Sequence, residues 1–345
     1  MRVDPLRAHN GPGVSRRRLK ASPMRVLHAA AIDELRWDVR DAVLGLGTLD
    51  GVHVGHQAIL RRVAERAAAM GGTPAVLTFA QHPLQVVRPE QAPALITSLP
   101  LKLALLARSG MDAAAVLHFS PALAALAARA FVERGLVDGL RVRGICVGVD
   151  FGFGRGRQGN VALLRELGER FGFWLDVVPS VSVGGVVVSS RAIRALLIQG
   201  RVADAQRLLG RPYCLLGEVE RGQGRGQGLG FATANLPVSD AELLKDGVYA
   251  GRVLVRGAFR DAMMNLGRAP TFGGGARRLE VHLPGWEEPL YGERLLAFFL
   301  ARLRDERRFA DGAVLRTQLA RDREAAEAVW RGADELPWPE WTLHS

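Results

Sequence analysis

Cysteines, aromatic residues and long apolar runs are all scarce in this sequence. Its two cysteines, Cys146 and Cys214, stand far apart among 345 residues, which indicates free thiols in a reducing compartment rather than a disulfide framework. No apolar run approaches the roughly 18 residues of a transmembrane helix, because the strongest, residues 181–188, contains two glycines and a serine. With 48% hydrophobic and 23% charged residues, the composition predicts a soluble, cytoplasmic protein without a membrane partner.

Acidic residues are also too few to balance the basic ones, and the net charge is +11. Residues 1–23 contain six basic residues against one acidic residue, a net charge of +5, together with several glycines and prolines. We interpret them as a disordered leader, and Met24 is an alternative start. A twin-arginine export signal is excluded because no apolar region follows the arginines. The basic segments have few aromatic residues, so we predict no nucleic-acid partner, and nothing in the sequence specifies an oligomer.

Short apolar runs alternate with helical patterns over roughly residues 42–210. The predicted strands are residues 42–47, 75–79, 113–119, 144–149 and 174–178. The predicted helices are residues 56–70, 101–108, 123–136, 161–171, 191–199 and 202–209. This alternation predicts an α/β domain with a doubly wound parallel sheet, which binds ligands beyond the carboxyl ends of its strands.

The pattern changes after Gly210 to short strands with little helix between them. The predicted strands are residues 214–219, 248–255, 258–266, 278–283 and 295–303, followed by a helix over 313–330. This half is predicted to be an antiparallel β-barrel with a C-terminal helix. We predict a leader (residues 1–23), an N-terminal domain (24–204), a C-terminal domain (205–332) and a tail (333–345).

The first predicted strand ends in a glycine- and histidine-rich stretch, residues 47–56, directly before a helix. Gly47 allows a tight turn, and Gly55 allows a phosphate to approach the helix N-terminus, whose free N–H groups favour an anion. His53 and His56 are three residues apart, so we expect them on one face as paired donors to a phosphate. A glycine-rich turn with two incidental histidines is the alternative.

Residues 47–56, Gly-Thr-Leu-Asp-Gly-Val-His-Val-Gly-His, resemble the signature of the flavin branch of the nucleotidyltransferase superfamily. Residues 78–83, 147–154 and 188–194 resemble further motifs of the same branch, in the same order. This resemblance implies an ATP site. The implied ATP-binding residues are Gly47, Asp50, Gly55, Asp150, Ser189, Ser190, Arg191 and Arg194, with His53 and His56 as catalytic residues. Two residues depart from the pattern: Leu49 replaces a phenylalanine, and Arg191 replaces a threonine.

A second glycine-rich stretch, residues 221–231, leads into Ala-Thr-Ala-Asn at 232–235. If this segment is extended, Thr233 and Asn235 point the same way. Glu280 lies in a strictly alternating strand pattern with its side chain on the polar face, where an isolated glutamate is usually only solvated.

Residues 230–235 resemble the Gly-Phe-Pro-Thr-Ala-Asn motif of riboflavin kinases, and residues 246–309 contain further matches. The chain is thus similar to the bacterial bifunctional riboflavin kinase/FMN adenylyltransferase family over about residues 25–330. For the kinase, the resemblance implies a catalytic base, Glu280, and Mg²⁺ ligands, Thr233 and Asn235. It also implies ATP contacts at Gly222, Gly230, Phe231 and Thr233, and flavin contacts at Asn265 and Arg304.

The implied substrates are small molecules: ATP, riboflavin and FMN, with FAD as the final product and Mg²⁺ as the metal ion. The C-terminal domain would phosphorylate riboflavin, and the N-terminal domain would adenylate FMN with release of pyrophosphate. Because Arg191 replaces a threonine, a riboflavin kinase with a degenerate adenylyltransferase domain is the main alternative. An adenylyltransferase for another phosphate would lack the kinase motifs.

Overall fold

The structure is a computed structural model that describes residues 23–220, 233–238, 242–268, 277–307, 309, 312–333 and 336. Most of the predicted leader and tail lie outside the described residues. The same holds for Gly222, Gly230 and Phe231 in the second glycine-rich stretch.

The first half is built on a six-stranded parallel sheet in the order β1-β4-β3-β2-β5-β6. Its strands are β1 (Arg25–Ala29), β2 (Ala42–Leu46), β3 (Thr73–Phe79), β4 (Ala113–Leu117), β5 (Val142–Gly148) and β6 (Trp174–Val178). Strands β2 and β4 are buried throughout, as expected for strands covered on both faces. The predicted α/β sheet is confirmed, and the edge strand β1 was missed because its apolar run is short.

Helices connect these strands, and a small hairpin follows β6. The helices are α1 (Val54–Met70), α2 (Leu84–Val87), α3 (Leu99–Arg108), α4 (Pro121–Ala124), α5 (Ala128–Ala130), α6 (Val161–Phe171), α7 (Ser190–Ile198) and α8 (Val202–Leu209). A π-helix covers Phe131–Gly139, and 3-10 turns cover Ile32–Glu34, Pro89–Gln91 and Arg155–Arg157. The hairpin consists of β7 (Ser182–Val183) and β8 (Val186–Val187).

The single helix predicted over residues 123–136 is wrong. Ser120 caps the short α4, and the chain is extended at Ala127 before α5 continues into the π-helix. The interruption has a tertiary cause, because the carbonyl of Leu126 accepts a hydrogen bond from the amide of Arg155, in the loop after β5.

The second half is an antiparallel six-stranded sheet in the order β10-β13-β12-β11-β14-β9. Its strands are β9 (Tyr213–Glu218), β10 (Thr233–Pro237), β11 (Gly247–Val255), β12 (Ala258–Arg268), β13 (Arg277–His282) and β14 (Arg294–Arg304). The two edges of the sheet meet where Glu220, just after β9, bridges to Asn235 in β10. Helix α9 (Gly312–Gly332) packs on β11 and β14, so the predicted antiparallel fold with a C-terminal helix is confirmed.

Apolar contacts join the two halves. Ile193 in α7 and Leu208 in α8 belong to the same buried cluster as Tyr213 and Phe299 of the second sheet. Cys146 and Cys214 are buried free thiols, and burial raises the pKa of Cys146 to about 12. None of the helices in the described ranges combines the length and hydropathy needed to span a membrane.

Candidate functional site

The loop between β2 and α1, residues 47–53, is called here the histidine loop. Its backbone takes positive φ angles at Leu49 (50°), Gly51 (86°) and Val52 (39°). A positive φ is costly for a β-branched residue such as Val52, so the surrounding structure must hold the loop in this shape. The loop follows the carboxyl end of a central strand, where parallel sheets bind their ligands.

His53 ends this loop and caps α1. Its Nδ1 accepts a hydrogen bond from the amide of His56 at 3.3 Å, and the two rings stack with centroids 3.6 Å apart. Since Nδ1 is an acceptor, the neutral ring carries its proton on Nε2. Because His53 is the cap, helix α1 begins at Val54, two residues before the predicted start at residue 56. A Cβ at Gly55 would lie 3.2 Å from the His53 ring, which is a tight contact. Glycine at this position therefore leaves room for the ring.

Both histidines are held in their neutral form. Burial, and then the charge of Arg211, lowers the pKa of His53 to about 4. Burial, and then the neighbouring His53, lowers the pKa of His56 well below its usual value. At neutral pH each ring thus offers one N–H donor rather than a full positive charge. Asp150, which is exposed after β5, has the opposite effect and raises the pKa of His53. Its carboxylate therefore lies near this ring.

The side chain of Asp50 links the histidine loop to two other segments, residues 96–97 and helix α7. It is 2% exposed and accepts hydrogen bonds from the amides of Ile96 (3.0 Å) and Thr97 (3.1 Å). Nη2 of Arg194 lies 2.5 Å from the same carboxylate, and Nε of Arg194 donates to the carbonyl of Ala94 at 2.8 Å. Asp50 and Arg194, both predicted to bind ATP, therefore form an ion pair with each other. This pair connects α7 to the histidine loop.

The start of α7 also contacts the histidine loop. The Oγ of Ser190 donates to the carbonyl of Asp50 at 3.0 Å, and Ser189 caps the helix by accepting from the amide of Ala192. Arg191 is exposed in the first turn of α7. Most of the predicted first site is thus assembled in one place, with Gly47 at the entrance of the loop.

Sequence reasoning missed Lys102 of α3, which is 4% exposed. Its ammonium donates to the carbonyl of Phe79 at 2.7 Å and of Thr48 at 3.2 Å, so it joins the carboxyl ends of β2 and β3. Burial lowers the pKa of Lys102 to about 8. The one signal in the sequence was a lysine on the apolar face of a predicted helix.

The second site forms a row across the antiparallel sheet. Asn235 of β10 lies opposite Glu280 of β13, and Glu280 lies opposite Asn265 of β12. Residues directly opposite each other on neighbouring strands project to the same face. The structure therefore brings together three residues from three strands, of which Asn235 and Glu280 are 45 positions apart in the sequence. Thr233 lies two residues before Asn235 on the same face.

Glu306, which was not predicted, lies beside this row. Nδ2 of Asn265 donates to Oε1 of Glu306 at 3.2 Å, and Oδ1 of Asn265 is buried without a hydrogen-bond partner among the described residues. A Cβ at Gly267 would lie 2.1 Å from the Glu306 carboxyl, so this glycine leaves room for the glutamate. Burial raises the pKa of Glu306, and the negative charge of Glu280 raises it further.

Arg304 lies at the far end of the same row, opposite Val248, which in turn is opposite Asn265. Its guanidinium makes a forked ion pair with Asp322 of α9, at 2.9 Å from Nε and 2.7 Å from Nη2. The two side chains are 14% and 4% exposed. The residue predicted to contact the flavin is therefore oriented by the C-terminal helix.

Two family models match the chain: FAD synthetase over residues 35–192 and riboflavin kinase over residues 209–330. The bifunctional riboflavin kinase/FMN adenylyltransferase of Escherichia coli K12 is 38% identical over 281 residues, which cover 81% of this chain and 90% of that protein. The Pseudomonas fluorescens protein of the same name is 38% identical, over 86% of this chain and 96% of its own length.

The fold also matches the crystal structure of a macrolide-efflux protein from Streptococcus pneumoniae. The TM-score is 0.79 and the identity 28%, over 88% of this chain and 99% of that one. The two family models cover the two halves of the chain, one model on each half. The chain therefore belongs to the bifunctional riboflavin kinase/FMN adenylyltransferase family.

Proposed function

We propose that the first site transfers the adenylyl group of ATP to FMN and that the second site phosphorylates riboflavin. The chain is a riboflavin kinase and FMN adenylyltransferase that uses ATP, riboflavin and FMN as small-molecule substrates. The observation that supports the assignment of residues is that the described motif residues of each set lie close together at one edge or face of their own sheet. We expect no nucleic-acid partner, and we propose domain limits at residues 24–204 and 205–332.

The first site needs no protein nucleophile. A phosphate oxygen of FMN attacks the α-phosphorus of ATP, and pyrophosphate leaves, so the protein has to position the substrates and stabilise charge. His53 supplies an Nε2–H donor, and the first turn of α7, which Ser189 caps at the amide of Ala192, supplies its remaining amide donors to an anion. The Asp50–Arg194 pair keeps these two elements together. The charge of the exposed Arg191 is proposed to contact the triphosphate.

The second site uses Glu280 as the general base. Its carboxylate accepts the proton of the ribityl 5′-hydroxyl as that oxygen attacks the γ-phosphorus of ATP, and ADP leaves. The flanking Asn265 and Arg304 are proposed to contact the flavin. Gly222, Gly230 and Phe231 are proposed to contact ATP, and these three lie outside the described residues.

A Mg²⁺ ion fits the donors of the second site. Thr233 and Asn235 offer a hydroxyl and an amide oxygen, which are the hard ligands that this ion prefers, and they lie on the face that carries Glu280. No cluster of three or more histidine, cysteine, aspartate or glutamate side chains suited to a metal was found in the described residues, so these neutral oxygens are the candidates. When bound, Mg²⁺ supplies positive charge that offsets the charge of the phosphates.

The assignment is tested by incubating the full chain with riboflavin, ATP and Mg²⁺ and separating the flavins by chromatography. FMN together with FAD is the expected result. FMN alone would support the kinase-only alternative, and neither product would reject both. Repeating the assay with added chelator tests the metal, and unchanged rates would reject Mg²⁺.

A further inference from the structure

The junction between the two halves, Gly210 and Arg211, packs against the histidine loop and the first turn of α1. Gly210 ends α8 with a φ of 70°, and a Cβ there would lie 2.8 Å from the side chain of Val54 and 3.3 Å from that of Gln57. This close approach leaves no room for a side chain. The residue that follows, Arg211, lies inside the segment that matches the riboflavin kinase model.

Arg211 extends from this junction into the adenylyltransferase half. Its Nη2 donates to the carbonyl of Gly51 at 2.8 Å, and its Nη1 donates to the carbonyl of Val52 at 3.3 Å. The residue is 8% exposed, and no acidic side chain forms an ion pair with it within the part of the chain that the structure describes. A buried cation is costly unless hydrogen bonds compensate it. Here the two Nη groups donate to carbonyls of the histidine loop, Nη1 also donates to the carbonyl of Leu209 at 3.4 Å, and Nε is buried without a hydrogen-bond partner among the described residues.

Gln57 makes a second connection at the same place. Its Nε2 donates to the carbonyl of Val52 and to the carbonyl of Leu209, both at 2.9 Å. Gly51 and Val52 are two of the positions at which the loop has positive φ, and His53 is the next residue. The carbonyls that Arg211 contacts therefore belong to the peptide units that set where the His53 ring lies.

We propose that Arg211 is a positioning residue of the adenylyltransferase site, supplied by the kinase half of the chain. It does not touch the substrates. It holds the carbonyls of Gly51 and Val52 and thereby keeps the Nε2–H of His53 in place for the developing charge. This inference rests on the proposed function of the first site, and it makes FMN adenylation dependent on a residue of the other half.

The expected signature is a loss of kcat rather than of ATP binding, because a displaced His53 weakens an interaction that matters most in the transition state. In the full chain, Arg211→Met should lower kcat for FAD formation from supplied FMN at least tenfold. KM for ATP should stay within about threefold of its value in the unsubstituted chain. The rate of riboflavin phosphorylation should stay within about twofold. Arg211→Lys should recover part of the loss, because an ammonium can still donate to these carbonyls.

A matched control is Arg277→Met in the kinase half. Arg277 is also 8% exposed and donates to the carbonyl of Glu242 at 2.7 Å and to that of Leu244. Unlike Arg211 it forms an ion pair with an acidic residue, Asp246, and none of the hydrogen bonds described for it reaches the histidine loop. Its loss should leave kcat for adenylation within about twofold.

Three results would overturn the inference: unchanged adenylation in Arg211→Met, an equal loss of both activities in that variant, or an equal loss of adenylation in Arg277→Met. Recovery in Arg211→Lys together with intact kinase turnover would support it. If the unsubstituted chain makes no FAD, the proposed function of the first site itself fails. If it makes FAD and Arg211→Met does so equally well, only the positioning role is rejected.

Discussion

His53 should make the stability of the protein depend on pH in a defined window. The residue is buried and neutral, with its pKa lowered to about 4 from the unfolded value of 6.5. Between these two values the unfolded chain binds more protons than the folded one, so stability falls as the pH drops below about 6.5. The loss of stability that comes from the titration of His53 is complete only below about pH 4.

The size of the effect follows from the shift. Between pH 7.5 and 4.5, a group with these two pKa values contributes a loss of about 2.5 kcal/mol in the free energy of unfolding. His56 adds a loss of the same sign, since burial and His53 lower its pKa as well. For a domain whose total stability is about 5–15 kcal/mol, this loss is readily measured.

The sharpest measurement compares the unsubstituted chain with His53→Asn. Asparagine can still cap α1 by accepting from the amide of His56, but it cannot titrate. Urea unfolding at pH 7.5 and 4.5, followed by the fluorescence of Trp37 and the other tryptophans, gives the pH-dependent loss for each protein. The variant should lose about 2 kcal/mol less, and equal losses in the two proteins would refute the reasoning.

Four further predictions concern activity and packing. Glu280→Gln should abolish FMN formation and leave FAD formation from supplied FMN, whereas His56→Ala should do the reverse; loss of both activities in either folded variant contradicts two separate sites. Asp322→Ala should destabilise the second half by about 3–5 kcal/mol in thermal or urea unfolding, because it leaves the largely buried guanidinium of Arg304 without its ion-pair partner, and a change below about 1 kcal/mol contradicts this. Arg191→Ala should raise KM for ATP in adenylation about tenfold, near 1.4 kcal/mol, with Arg191→Thr tolerated, and an unchanged KM would reject the contact with the triphosphate. Deleting residues 1–23 should keep both activities within about twofold, and a tenfold loss would show that the leader takes part in folding or substrate capture.

Hydropathy periodicity and turn residues predicted most of the fold because they report on local structure. The bounds of α6, α8 and β6 agree with the predictions to the residue. Asn160 and Gly172 delimit α6, Gly210 ends α8, and Pro179 follows β6. The helix predicted over residues 123–136 failed because a hydrogen bond from a distant loop interrupts it. A local pattern carries no information about such a partner.

The sequence by itself determined the fold class, the two sets of motifs and the family resemblance, because these depend on residue types at short, ordered spacings. Only the tertiary structure decided that Asp50 and Arg194 bind each other, and that Lys102 and Glu306 lie in the two sites. It also decided that Arg211 reaches across the junction to the histidine loop. These contacts depend on distance in space between residues far apart in the chain, and the energy of a buried charge depends on what surrounds it.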